Sequence, residues 1–476
     1  MKYTHDLIVI GAGSGGLGAA GFGAAIGLKV ALIDRSAKNF GGDCLNYGCV
    51  PSKALLHVAS LFAGGKQAER FGLKTSGQAD FPAVMRYVHE QQDIIRAHET
   101  PEYLEKEYGL ESIIGEAKFS AAREVTVNDR KLTARRIVLA TGSVPRHLEV
   151  PGADDVRQWD NESLFWELDT LPEHLLIVGG GPISCEMAQA FVRLGSKVTL
   201  LVRAKQLLEK DPAVMGNILA NRLRQEGVDL RFETTITKFD GPHSATLNDG
   251  QTITFTHLLA AIGREVRTEG IGLAAAGIEV RDGKIVTDDY YRTTNPHVYT
   301  VGDAYGREMF SHGAEKHNTD LWNNFLSPLR KKHRLEAFSW VTFTDPEIAV
   351  FGQTPRQLRE AGIDFDLVQQ SFDHDDRAVA ADYREGHLML CLSKGFWGGG
   401  KILGGAMAAP GAGEMIQELQ LLQLLGKKYS TLTNKIYAYP VGSRINQKPA
   451  RDRTSEFLLS DRVTSILRWF YRLKNR

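Results

Sequence analysis

The sequence predicts an α/β chain in which two Rossmann-like units are followed by a C-terminal α+β region. Three observations carry that expectation. "DLIVIGAGSGGLGAA" opens the chain as a strand, a glycine-rich turn and a helix. "EHLLIVGGGPISCEMAQAFVRLGSKVTLLVR" repeats the same order further on. Late in the chain, "GHLMLCLSK" and "KILGGAMAAP" read as strands of a sheet that also carries helices. A length of 476 residues suits about three domains.

An apolar fraction of 43% and a charged fraction of 24% are ordinary for a globular protein with a real core. Lys+Arg and Asp+Glu both number 57, a balance that argues against nucleic acid as the main partner. Four cysteines, Cys44, Cys49, Cys185 and Cys391, are too few for a disulfide framework. The expected compartment is therefore reducing and cytoplasmic, where a disulfide is more often catalytic than structural. Leu7–Leu28 is 22 residues without a charge, long enough to cross a bilayer. Eight of those residues are glycine and no basic region precedes them, so neither a membrane span nor a secretory signal is expected.

In the first glycine turn, Gly11, Gly13 and Gly16 fit G-x-G-x-x-G. Gly11 permits the turn, Gly13 lets a pyrophosphate approach the backbone, and Gly16 lets the helix pack on the strand. The helix N-terminus offers N–H groups and the positive end of its dipole to phosphates. "KVALIDRS" ends a second strand at Asp34, eighteen residues after Gly16, where an acid accepts from ribose hydroxyls. In the second turn, Gly179 and Gly181 match the first two glycines and Ser184 stands at the third. Val202 sits where an NAD site places its acid, and Arg203 and Lys205 follow. Cations there suit a 2′-phosphate, so NADPH is favoured over NADH; the alternative is a solvated basic loop. Two dinucleotide sites in one chain suggest a hydride donor that comes and goes and a resident flavin.

"GGDCLNYGCVPSK" places Cys44 and Cys49 close together at what reads as a helix start, with Pro51 expected to distort it and Lys53 as a nearby cation. Thiolates form more readily near helix N-termini and cations. Two such thiols can close into a disulfide and reopen as a two-electron relay. A structural metal site and two buried thiols are the alternatives, and no other Cys/His pair at ligand spacing completes a metal site. Cys185 and Cys391 read as packing residues.

With these motifs the chain resembles the FAD-dependent pyridine nucleotide–disulfide oxidoreductases, near the mercuric reductase and dihydrolipoamide dehydrogenase branch. The resemblance spans nearly the whole chain. It implies an FAD domain at 1–147 and 267–338, an NAD(P)H domain at 148–266, and an interface domain at 339–455 through which two chains pair as a homodimer; residues 456–476 read separately as a basic amphipathic tail. It implies that Cys44 attacks substrate, Cys49 faces the flavin, and Lys53 lies near flavin N5. Asp43 replaces the threonine usual in the motif. "RIVLATGSVPR" supplies Thr141 and Gly142, "AAIGREV" supplies Gly263 and Arg264, and "YTVGDAYG" supplies Gly302 and Asp303. By the same resemblance Asp303 holds the ribityl chain, and Ala117 and Glu186 belong to the cofactor sites.

One stretch departs from the family. Its disulfide reductases carry a His/Glu dyad near the C-terminus, and here "IYAYPVGSR" puts Tyr439 at the histidine and Arg444 at the glutamate. No histidine follows His387. A phenol of ordinary pKa near 10 is a poor base at pH 7, so turnover of dihydrolipoamide or glutathione disulfide is not expected to be efficient. Tyrosine also occurs in this region of mercuric reductases, but no cysteine follows Cys391 to deliver metal. Tyr437, Tyr439 and Arg444 read either as a substrate site or as interface residues. The expected acceptor is a small molecule: a disulfide, a metal ion or a quinone. A low-turnover redox sensor is the second reading. "DRVTSILRWFYRLKNR" puts Val463, Ile466, Leu467 and Phe470 on one helical face beside Arg462, Arg468, Arg472, Lys474 and Arg476. Such a basic amphipathic helix lies on an anionic membrane or docks on its own dimer.

Overall fold

The computed structural model describes residues 2–335, 338–395 and 399–474, so Arg476 lies outside the described residues. The chain divides into two compact units. One comprises 1–179, 190–201 and 234–334; the other comprises 180–189, 202–233 and 335–476.

The first unit begins with β1 (His5–Ile10), α1 (Ser14–Ala25) and β2 (Val30–Asp34). The uncharged opening stretch is thus a strand and a helix. Leu7–Ile10 of β1 are buried and read as a continuous apolar run, with Asp6 exposed ahead of them. A parallel sheet runs Glu111–Ile114, β2, β1, Arg130–Leu139, Val298–Thr300, with Val9 opposite both Leu32 and Val138. Strand Arg130–Leu139 also pairs antiparallel with Glu124–Val127. Ile8, Ile10, Ile33, Ile137 and Leu139 fill one core cluster, and Leu7, Val9, Leu32 and Val138 fill another.

A second parallel array in this unit runs Lys197–Val202, His174–Val178, His257–Ala260, Gln158–Trp159. It is joined to the first array by an antiparallel pair, Ser143–Pro145 with Arg264–Val266.

In the second unit an antiparallel sheet runs Ser339–Thr342, Glu347–Gly352, Ile402–Ala409, His387–Ser393, Phe365–Ser371. Phe351, Leu390, Met407 and Leu419 make its core. Cys391 is fully buried there and Cys185 is fully buried in the helix Pro182–Leu194, as packing residues should be. The final helix, Asp461–Lys474, buries none of its residues and exposes Ile466, Leu467, Trp469 and Phe470. Among the described residues no helix is long and apolar enough to cross a membrane.

The expected distortion at Pro51 is absent. Cys44 lies on the short helix α2 (Gly42–Asn46), and Cys49 opens α3 (Cys49–Ala68), which runs through Pro51 without interruption. Pro51 sits in the first turn of α3, where a missing N–H forfeits no helical bond. The break falls instead at Tyr47–Gly48, between the thiols.

Candidate active site

The first glycine turn is shaped for a close backbone approach. A Cβ on Gly11 would meet the Ala140 carbonyl oxygen at 2.2 Å, and Gly11 holds φ +104°. A Cβ on Gly16 would lie 1.7 Å from the Gly11 carbonyl oxygen. Asp34, at the end of β2, accepts the Ala12 N–H at 2.8 Å and so ties the turn to the strand, with lone pairs left over for hydroxyls. No side chain caps α1 at Gly13, which leaves its first N–H groups to a ligand. This donor set and cradle fit a dinucleotide. Across the same unit, Gly302 donates its N–H to His317 Nδ1 at 3.1 Å, and Ser143 donates to Asp303 at 2.5 Å. Burial pushes the Asp303 carboxyl up. Thr141 donates to the Arg267 carbonyl at 3.3 Å, next to Gly142. Ala117 packs against the core beneath the sheet.

The second turn fits a dinucleotide as well. Gly179 donates to the Leu201 carbonyl at 2.9 Å, and the space where Gly181 would carry a Cβ is open. Ser184, at the third glycine position, is fully buried. Glu186 is buried and accepts the Phe343 N–H at 2.9 Å. Arg203 is exposed, and Lys205 lies 3.8 Å from Glu233. Gly263 donates no side chain but accepts the Arg146 N–H at 3.0 Å.

The two thiols face one another as a hydrogen-bonded pair, and both are free. The hydrogen bond from Cys44 pulls Cys49 down to about 6; Ser311 and the Lys53 cation act in the same direction, against burial and the Asp43 carboxylate. Cys44 moves up in response, through that same bond and burial. These neighbours favour the thiolate at Cys49 over one at Cys44. Ser311 Oγ, at the start of the helix Ser311–Leu326, stands 3.3 Å from Cys49 Sγ.

A five-residue helix is too short to be stable alone, so the position of Cys44 depends on what holds α2. Gln92 donates to the Leu45 and Asn46 carbonyls at 2.8 and 3.0 Å, and Trp166 Nε1 donates to the Asn46 carbonyl at 3.0 Å. Arg96 donates to Asn46 Oδ1 at 2.6 Å. At the other end, Asp43 Oδ1 accepts from Arg264 Nη2 at 3.0 Å and from Asn161 Nδ2 at 3.1 Å. Sequence reasoning missed Gln92, Arg96, Asn161, Trp166 and Ser311. They come from distant segments, and the one available signal was the unusual aspartate at 43.

In the second unit, Tyr439 is exposed and donates to Asp376 at 3.1 Å. The Arg444 guanidinium stands over its ring at 5.2 Å and lies 3.9 Å from Asp376. Tyr437 donates to Glu418 at 2.7 Å.

Glu308, His317 and His333 bring three potential ligand atoms within 4.8 Å of one another. The protonation pattern favours a proton network over a metal. The Gly302 N–H can only donate, so His317 Nδ1 accepts and its proton sits on Nε2, facing Glu308 at 3.3 Å. A metal would need that lone pair, and ligating histidines donate from the other nitrogen. His333 Nε2 lies 3.0 Å from Glu308, and its Nδ1 meets the Tyr291 hydroxyl at 2.8 Å.

Burial pushes Glu308 up, but hydrogen bonds from both histidines outweigh it and hold the carboxyl at about 2. A carboxylate depressed on folding stabilises the fold above its unfolded pKa and loses that contribution as pH falls from about 4.5 toward about 2. Burial also holds His317 down, so its contribution fades as pH drops below about 6.5. Glu308→Gln should cost about 1–3 kcal/mol at pH 7. Thermal melts of the two proteins should show that gap narrowing below pH 4.5.

Two glycine turns shaped for dinucleotides and a close thiol pair at the start of α3 are features of a flavoprotein disulfide oxidoreductase. The chain belongs to the pyridine nucleotide-disulphide oxidoreductases: that family's model matches residues 5–318, and the family's dimerisation domain matches residues 338–448. A mercuric reductase of Streptomyces lividans is 36% identical over 87% of this chain and 88% of that protein. A dihydrolipoyl dehydrogenase of Thermus scotoductus is 34% identical over 92% of this chain and 95% of that protein. Among solved structures, the Cu(II) complex of the HOCl-induced flavoprotein disulfide reductase RclA from Escherichia coli superposes with a TM-score of 0.83. It has 25% identity over 95% of this chain and 99% of that one. The chain is therefore an oxidoreductase of an FAD-dependent family that takes a pyridine nucleotide, with the two-Rossmann plus C-terminal α+β fold expected from its sequence.

Proposed function

We propose that this enzyme, working as a homodimer, reduces a small-molecule acceptor with electrons from NADPH, through FAD and the Cys44–Cys49 pair or, for a quinone, from the flavin directly. The acceptor is a metal ion or a quinone rather than dihydrolipoamide or glutathione disulfide. Bound FAD and NADPH together supply a hydride, whose two electrons and proton appear on the opened disulfide as a Cys49 thiolate and a Cys44 thiol. The observation that carries the reading is the facing Cys44–Cys49 pair, with Ser311 Oγ 3.3 Å from Cys49 Sγ and Lys53 one turn along α3, neighbours that favour a thiolate at Cys49. It lets the chain hold and move the Cys44 proton without the missing histidine: when Cys44 attacks, Cys49 is the base within reach. Lys53 stabilises that thiolate from one turn further along α3.

Gly11, Gly13, Gly16, Asp34, Thr141, Gly142, Ala117, Gly302 and Asp303 are proposed to hold FAD. Gly179, Gly181, Glu186, Arg203 and Lys205 are proposed to serve the nucleotide side, and Gly263 and Arg264 to lie where the chain returns to the FAD domain. The exposed cation at Arg203 supports NADPH. Tyr439, oriented by Asp376 and Arg444, is proposed to meet the acceptor.

Anaerobic titration with NADPH should produce a long-wavelength thiolate-to-flavin band, and steady-state assays should show rapid turnover of quinones or Hg(II) with slow turnover of disulfides. Replacing Arg203 and Lys205 by alanine should raise the KM for NADPH about 10-fold or more and leave that for NADH unchanged. Slow turnover of every acceptor would favour the redox-sensor reading. A protein that gives no band would refute the thiol assignment.

A further inference from the structure

The Asp43 carboxylate enters the thiol site where a neutral residue would be expected from the family motif. It is fixed there. Arg264 is 13% exposed and spends its donors on Asp43 Oδ1 at 3.0 Å, Asn161 Oδ1 at 2.9 Å, Ser143 Oγ at 2.7 Å and the Ser143 carbonyl at 3.2 Å. Asn161 Nδ2 then binds both Asp43 at 3.1 Å and the Tyr47 carbonyl at 3.2 Å. The network therefore spans the Tyr47–Gly48 break that separates the two thiols. A Cβ on Gly48 would sit 3.1 Å from Asp43 Oδ2, which places the carboxylate against the Gly48 backbone, next to Cys49 in the chain.

We propose that Asp43, held by Arg264 and Asn161, is a positioning and redox-tuning residue: its negative charge beside Cys49 disfavours the thiolate and makes the reduced pair a stronger electron donor. This rests on the assignment of Cys44 and Cys49 given above. Electrostatics support the geometry. Asp43 raises the Cys49 thiol, opposing its other neighbours. Those neighbours are Cys44 on α2, Lys53 on α3 and Ser311 on the facing helix. Around Asp43 stand Arg264, Glu162 and Asp303; both acids feel its charge, and burial pushes both of them up.

The balance of charge gives the sign. Reduction of the disulfide by two electrons and one proton leaves one thiolate and one thiol. A fixed anion beside the thiolate destabilises the reduced form relative to the disulfide, which lowers the reduction potential. Asp43→Asn keeps both acceptor contacts, removes the anion and frees the Arg264 charge, so both changes favour the thiolate. Asp43→Thr restores the residue usual in the motif and serves as a second neutral variant.

The test compares the reduced holoenzyme of the three proteins. In each, the pH dependence of Cys49 alkylation, localised by mass spectrometry, is measured together with the disulfide potential. In both variants the alkylation midpoint should fall by about half to one pH unit, equivalent to about a 3- to 10-fold change in the acid constant. The potential should rise by about 15–30 mV, since tenfold in the equilibrium constant is 29.6 mV for a two-electron couple. Unchanged midpoints and potentials in both variants would overturn the proposal. Failure of the wild-type holoenzyme to form its NADPH-induced band would strike the underlying thiol assignment, while the alkylation comparison would still judge Asp43.

Discussion

Cys49→Ser should leave the flavin without its long-wavelength band under NADPH, at any pH at which the wild type shows one. Serine is not ionised near neutrality, so no anion remains to donate charge to the ring. Turnover that passes through the dithiol should fall about 1,000-fold or more, as expected when a covalent intermediate is no longer available. Cys44→Ser gives the opposite spectrum. Cys49 keeps Ser311 and Lys53 as neighbours and gains a serine hydroxyl that can still donate to it. The band should therefore persist in the resting variant, before any NADPH is added, while dithiol turnover is lost. Quinone reduction directly from the flavin should survive in both. A persistent band in Cys49→Ser would assign the charge to the wrong sulfur.

Gly16→Ala should be the most damaging single substitution in the first nucleotide turn. The added methyl would sit 1.7 Å from the Gly11 carbonyl oxygen, a backbone atom that cannot move without displacing β1 or α1. We expect a loss of about 3 kcal/mol or more and protein that elutes without FAD absorbance. Gly181→Ala in the second turn is the control, because nothing lies within 4 Å of the added methyl. Its melting temperature should match the wild type within about 1 kcal/mol of stability, while the KM for NADPH rises. Equal damage at both sites would mean that neither glycine is there for a close approach. The different tolerance also accounts for Ser184, a side chain the second turn accommodates in full burial.

What could be read in the sequence is what local chemistry dictates. Strand, turn and helix at Gly11 and at Gly179 follow from short patterns, and Asp34 follows from its distance along the chain. The close pair of cysteines announces redox work because its spacing is local. What could not be read is the set of contacts that holds α2 in place. Gln92, Arg96, Asn161 and Trp166 approach Asn46 and Asp43 only through the fold. The Glu308, His317 and His333 network is hidden for the same reason, since its members lie on a loop, a helix and the segment beyond it. Pro51 misled because a proline interior to a helix breaks it, while the same residue in a first turn is tolerated. At Tyr439 the sequence revealed an absence, but Asp376 as its partner lies 63 positions away.

The gap at Tyr47–Gly48 has a mechanical consequence. Because the two sulfurs lie on separate helices, their separation is set not by one helical repeat but by the contacts that anchor the shorter helix, from Gln92, Trp166, Asn161 and Arg264. Loosening one of those anchors should therefore disturb the thiol pair while leaving both helices wound.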